Sequence, residues 1–212
     1  VEPGFFLRPD GLAWEEVLPA PPTEGSVAEE ADLETVRQVQ ATRTPEQEAW
    51  AREVDRDTVW KAGAFLGAWF TAERLPRTAR FFWELTVDSY AVSERAKARH
   101  GRPRPPKRDA TVKPCVPLPS NASYPSGHSF QAWIRAEVLA DLLPEHEAAF
   151  RERAGRAAWA RVVGGVHYPT DVVAGRRLAL AFVNELRKSP AYREAVDACR
   201  KELARVRDQR TQ

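Results

Sequence analysis

Seven prolines fall within Gly101 to Pro125, GRPRPPKRDATVKPCVPLPSNASYP. Each proline fixes φ and removes a backbone donor, so this stretch cannot continue a helix or sit inside a sheet. It must run as a long loop, and loops of this length within a compact domain are more often functional than not. On both sides the pattern is helical. Apolar residues recur at three- and four-residue spacing among abundant Ala, Glu, Arg and Gln, and no stretch sustains the alternation of a strand. Helical character begins at Ala31, and helices are predicted over 45–57, 58–72, 76–99, 126–143, 145–163, 170–188 and 190–208. Thr44-Pro45-Glu46-Gln47 supplies a capping-box start. Ala62 to Ala72, AGAFLGAWFTA, reads as a buried helix segment. Residues 1–30, with LPAPPTEGS at Leu18–Ser26, read as an extended N-terminal arm, and residues 31–212 as one helical domain. The expected fold is an all-α, single-domain helical bundle with a proline-rich central loop.

Composition narrows the partners. With 43% apolar residues and seven Trp the chain has material for a core. Its 32 basic and 30 acidic residues are intermixed and leave a net charge of +2. That balance gives no electrostatic reason to expect nucleic acid or a membrane surface as partner. The longest apolar uncharged stretch is far short of the roughly 20 residues that span a bilayer, so no membrane insertion is expected. No charged segment followed by an apolar one opens the chain, so the protein is either cytosolic or has lost a leader; the start at Val1 favours a removed leader, and with it a periplasmic or secreted protein, or a trimmed chain. Two cysteines, Cys115 and Cys199, are too few for a metal framework and leave a single bridge open.

Three groups of residues have the chemistry of an anion site. Lys97, at the end of a predicted helix, and Arg104, in the loop, together offer a point charge and a planar fork to one anion. Basic residues at a helix C-terminus also simply complement its dipole. In SYPSGHS, Ser126 stands where a helix begins, so the N–H groups of Gly127 and His128 are unpaired and suit an anion. His128 then stands where it can protonate a leaving oxygen, although a solvated histidine in a first helical turn looks the same. In ARVVGGVHYPTD, Asp171 follows His167 by four residues across a helix start at Pro169. A carboxylate on one ring nitrogen fixes the tautomer and frees the other nitrogen as nucleophile or ligand. A packed His with a nearby capping Asp has the same spacing. Gly164-Gly165 marks close backbone packing or approach to a ligand. Tyr124, Phe130 and Trp133 are candidates to line the pocket, with Trp133 equally suited to the core. His100 and His146 read as surface residues, and four scattered histidines give no metal cluster.

In order and spacing, Lys97-x6-Arg104-Pro105, Pro125-Ser126-Gly127-His128 and Arg161-x5-His167-x3-Asp171 resemble the signature of the type 2 phosphatidic acid phosphatase superfamily. The closer likeness is to bacterial class A non-specific acid phosphatases, supported by LPAPPTEGS and SPAYREAV, and it spans residues 18–205. The resemblance implies the acid phosphatase/vanadium haloperoxidase type of helical fold and hydrolysis of small phosphomonoesters without metal or other cofactor. It implies that Lys97, Arg104, Ser126, Gly127 and Arg161 hold the phosphate. His167 is the implied nucleophile, oriented by Asp171, and His128 the proton donor. It leaves open transfer to another alcohol and assembly into a homo-oligomer. The alternative is a vanadium-dependent haloperoxidase using the same pocket. One departure from the family is Ala160, where Ser is usual, and its missing hydroxyl predicts weakened activity.

Overall fold

The computed structural model describes residues 4–8 and 10–209, and all regular structure among them is helical. The expected arm and domain extend to residues 1–3, 9 and 210–212, which lie outside the described residues. The helices are α1 (Trp14–Val17), α2 (Val27–Thr42), α3 (Pro45–Val54), α4 (Val59–Ala62), α5 (Pro76–His100), α6 (Pro105–Arg108), α7 (Gly127–Leu142), α8 (Glu147–Val163), α9 (Pro169–Lys188) and α10 (Pro190–Asp208).

The bundle is built around α7. Most of its residues are buried, Phe130, Trp133, Ile134, Val138, Leu139 and Leu142 among them. A helix of that kind must lie inside other helices, and α8 and α9 make the most extensive contacts with it. At the crossing of α7 and α9, Gly175 lets the two backbones meet. A Cβ there would sit 2.5 Å from the Ser126 carbonyl oxygen and 2.8 Å from Ser129 Cβ. The first turn of α7 is therefore pinned to the first turns of α9, where Asp171 lies, and His167 stands two residues before that helix begins.

Buried carboxylates tie the outer helices in. Glu202 on α10 accepts from the backbone N–H groups of Arg77 and Thr78 at 3.0 and 2.8 Å, and so caps α5. Asp88 accepts from the N–H groups of Phe5, Phe6 and Leu7 at 2.8–3.1 Å and holds the N-terminal segment on α5. Glu137 on α7 takes both Arg151 and Arg187.

Several expectations are corrected. The helix expected over 58–72 is only α4 and a short 3-10 turn at Ala64–Leu66. Gly63 and Gly67 end each piece, Gly67 at φ +104° where an L side chain is strained. Ala62–Ala72 is thus not one buried helix, and Phe65 is half exposed. α2 starts at Val27 because Ser26 caps it, accepting from Glu29 N at 3.2 Å, and α1 interrupts the N-terminal segment. Within the proline-rich loop, Pro105 and Pro106 open the short helix α6, since proline suits a first helical turn. Cys115 and Cys199 are both free thiols. His100 is not a surface residue: its ring packs edge-on against Trp14 and Tyr124. His146 is half-buried against Phe65 and Phe150.

Candidate active site

The three sequence groups converge on one cavity of about 280 Å³. Lys97, Arg104, Gly127, His128 and His167 line it, while Ser126, Arg161 and Asp171 stand behind that lining.

His167 is buried in the bend that leads into α9. Its Nδ1 lies 3.2 Å from Asp171 Oδ2. The same oxygen accepts from Ser123 Oγ at 2.5 Å and from Tyr168 N at 3.0 Å. An ionised carboxylate only accepts, so the imidazole proton sits on Nδ1 and the lone pair on Nε2. That Nε2 is 3.1 Å from Arg104 Nη1 and faces the cavity. Burial holds the His167 pKa well below its ordinary value against the pull of Asp171, so the ring is neutral. Burial works to raise the Asp171 pKa, but His167 and the Arg102 charge outweigh it and keep the carboxyl ionised.

The cations are pre-set by the proline-rich loop. Lys97 Nζ donates to the carbonyls of Ala122 and Pro125 at 2.8 and 2.7 Å. Arg104 donates to Asn121 Oδ1 at 2.8 Å and to the Val166 carbonyl at 2.8 Å. Burial, with Arg104 nearby, pushes Lys97 down to about 8, and burial pushes Arg104 down to about 10. Both remain cationic at neutral pH and below. Arg161 is fully buried, with Nη1 on Asp55 Oδ1 at 2.8 Å. Its Nε and Nη2 have no partner. Buried guanidinium donors without acceptors are costly, and an anion in the cavity is what would satisfy them.

Opposite His167, Ser126 caps α7 by accepting from Ser129 N at 3.3 Å. A Cβ on Gly127 would sit 3.7 Å from Lys97 Cε, in the space between the helix start and the ammonium. His128 projects from the first turn with its Nε2 3.2 Å from the Asp55 carbonyl oxygen. Burial and the Arg161 charge push His128 down to about 4.

Sequence reasoning missed a second layer. Arg102 is buried behind the site, with Nη1 2.7 Å from Asp171 Oδ1 and Nη2 2.8 Å from Asp32 Oδ2. Its guanidinium stacks on the Tyr168 ring at 3.8 Å. Asp32 in turn accepts from both Thr170 N and Thr170 Oγ1. Asp55, Ser123 and Asn121 were also unforeseen. Other expectations are revised. Gly164-Gly165 serves close packing: Gly165 has φ +73° and a Cβ there would press on Pro114, 3.3 Å away. Tyr124, Phe130 and Trp133 are core residues, and Tyr90 is the aromatic that lines the cavity. Ala160 is buried in the apolar core and does not line the cavity.

Known proteins resemble this chain in sequence and in fold. A family model described as the PAP2 superfamily matches residues 78–194. A non-specific acid phosphatase of Providencia stuartii is 29% identical over 209 residues, covering 93% of this chain and 82% of that protein. An acid phosphatase of Zymomonas mobilis is 30% identical over 202 residues, covering 90% and 75%. Two solved structures share the fold. A transmembrane PAP2-type phosphatidylglycerolphosphate phosphatase from Bacillus subtilis aligns with TM-score 0.56 and 22% identity, over 78% of this chain and 87% of that one. A bacterial vanadium-dependent iodoperoxidase aligns with TM-score 0.58 and 21% identity, over 82% and 53%.

Proposed function

The chain belongs to the PAP2 superfamily and is a phosphoric monoester hydrolase, an acid phosphatase, and from that premise we propose that it works without a metal, through a phosphohistidine at His167. The observation that carries this reading is the neutral His167 Nε2 facing the cavity beside Arg104, with Asp171 fixing its tautomer and His128 across the cavity.

The phosphoryl group sits among Lys97, Arg104, Arg161 and the N–H of Gly127. The hydroxyl of Ser126, which still has a proton to donate, adds to the cradle. Nε2 attacks phosphorus in line, the bond to the ester oxygen breaks, and His128 passes its proton to that oxygen. Water then attacks the phosphohistidine, His128 takes a proton from it, and the P–N bond breaks to release phosphate. An alcohol in place of water would give phosphoryl transfer. Fixed cations supply most of the barrier lowering, because the transferring group carries the charge.

The reading calls for a bell-shaped pH profile. One proton must be shared between His128, near 4 in the free enzyme, and a phosphate ester whose second pKa is about 6. Between those values the pair holds one proton, so kcat/KM peaks there. It falls below the window, where a second proton binds, and above it, where none remains. Bound phosphate raises the His128 pKa, so the alkaline limb of kcat lies above that of kcat/KM. Steady-state rates with p-nitrophenyl phosphate across pH check this, and rates still climbing above neutrality would contradict it.

Quenching in acid and in base identifies the covalent step: a phosphoenzyme that is acid-labile and base-stable should accumulate in the native protein and be absent from His167→Ala, with turnover unchanged by chelator. Loss of turnover in chelator, or a phosphoenzyme in His167→Ala, would overturn the proposal. Halide oxidation with vanadate and peroxide, and no phosphate release, would favour the haloperoxidase alternative. The periplasmic or secreted location belongs to the same proposal, and an activity assay on osmotic-shock fractions tests it.

A further inference from the structure

The cavity does not end at His128. Gly127, His128, Gln131, Ala132 and Arg135 all line it, and their helical spacing puts them on one face of α7. Arg135 lies seven residues, about 10 Å of helix axis, beyond His128. Long side chains on a helix lean toward its N-terminus, which carries the guanidinium back toward the imidazole. The Arg135 charge is felt there, contributing to the low proton affinity of His128.

The neighbours of Arg135 leave its charge unbalanced. Asp57 sits between two guanidinium groups, and Arg153 takes it in a fork, with Nη2–Oδ1 at 2.8 Å and Nη1–Oδ2 at 3.1 Å. Arg135 reaches the same carboxylate once, at 3.5 Å, from Nη1. One carboxylate between two cations leaves a net positive charge, and the loosely held cation is the one that lines the cavity. Two other carboxylates line the cavity: Asp55 pairs with Arg161, and Glu94 accepts from the neutral Asn121 amide and has its charge felt at Lys97 and Arg104.

We propose that Arg135 forms a second anion subsite and that preferred substrates carry a second anionic group, carboxylate or phosphate, on the leaving side. The proposal rests on the assignment of His128 as proton donor, which places the leaving group on this face of α7.

The test compares 3-carboxyphenyl phosphate with its neutral isostere 3-carbamoylphenyl phosphate at about pH 6, where an ordinary carboxylate is ionised. A third arm uses 1,3-phenylene bisphosphate. The native enzyme is expected to favour the charged substrate in kcat/KM by about tenfold at low salt, the scale of a charge-assisted contact. In Arg135→Gln that ratio should fall to about one, and Arg135→Lys should keep part of it. A purely structural Arg135 would affect all substrates alike and leave the ratio untouched. Preference for the carboxylate and the bisphosphate supports a general anion subsite; preference for the bisphosphate alone supports one for phosphate. A ratio of about one in the native enzyme for both, or a ratio that survives in Arg135→Gln, overturns the subsite while leaving the phosphatase reading intact. No phosphate release from any substrate overturns that reading and the subsite with it. Should Arg135→Gln fail to fold, the native ratio and its value in Arg135→Lys decide.

Discussion

Asp171→Asn is expected to lower kcat by about three to four orders of magnitude, the scale seen when the carboxylate behind a catalytic imidazole is neutralised. The side chain keeps its shape but loses the ability to accept on every side. Oδ1 now accepts from Arg102, and Oδ2 from His167, Ser123 and Tyr168. An asparagine must turn its NH2 toward one set. Facing Arg102, it sets donor against guanidinium. Facing His167, it donates to Nδ1, moves the imidazole proton to Nε2 and removes the attacking lone pair. Either way the imidazolium that forms during transfer loses its counter-charge. The lost pair with Arg102 destabilises the fold by less than the 3–5 kcal/mol of an orphaned buried charge, because Asp32 still holds the guanidinium. Inorganic phosphate should still bind, since Lys97, Arg104 and Arg161 are untouched. Steady-state rates, calorimetric phosphate binding and the imidazole nitrogen shifts together check this. A kcat within tenfold of native, in a folded variant, would reduce Asp171 to a helix cap.

What the residues announced in advance were short-range features. The capping box at Thr44 and Gln47 is present as read, and α5, α7, α9 and α10 lie within one residue of their predicted limits, because periodicity and proline starts are local signals. The 58–72 stretch failed for the opposite reason. Its apolar density came from residues that fill gaps between helices, and two glycines broke the turn that periodicity assumed. The site divides in the same way. Lys97, Arg104, His128, His167 and Asp171 lie in motifs whose spacing follows helix ends, so their convergence was legible. Asp32 and Asp55 carry no local mark: each is one acidic residue among thirty, and only the packing of α2 and α3 on α8 and α9 brings them to the site. Arg102 lay in plain view between Lys97 and Arg104, yet in a run of basic residues nothing separates a buried arginine from a solvated one. The prolines around it are the only hint, since they restrict where that loop can travel.

Arg102→Met is the second large effect, and its signature is a shift in pH dependence. Arg102 joins Asp171 to Asp32, bonded to each and stacked on Tyr168, with only 3% of its side chain exposed. Methionine fills much of the volume but leaves two buried carboxylates without their shared cation, a defect worth about 3–5 kcal/mol of stability. Asp171 responds by holding its proton more tightly. The Arg102 charge is one of the forces keeping Asp171 ionised, and loss of a neighbouring cation raises a buried carboxyl by about 1–3 units. A protonated Asp171 no longer accepts from His167 Nδ1, so the tautomer that exposes Nε2 loses its anchor. The acid limb of kcat should therefore move upward, with kcat at pH 5 reduced by up to about 50-fold and the loss shrinking toward neutrality. KM should change less, because Arg102 stands behind the cavity rather than in its lining. Arg102→Lys should recover only part of the rate: an ammonium keeps the charge but lacks the fork that reaches both carboxylates in one plane. A purely structural arginine would lower activity by the same factor at every pH. Equal losses at pH 5 and pH 7 in a folded Arg102→Met would show that the Arg102 charge does not govern the ionisation of Asp171.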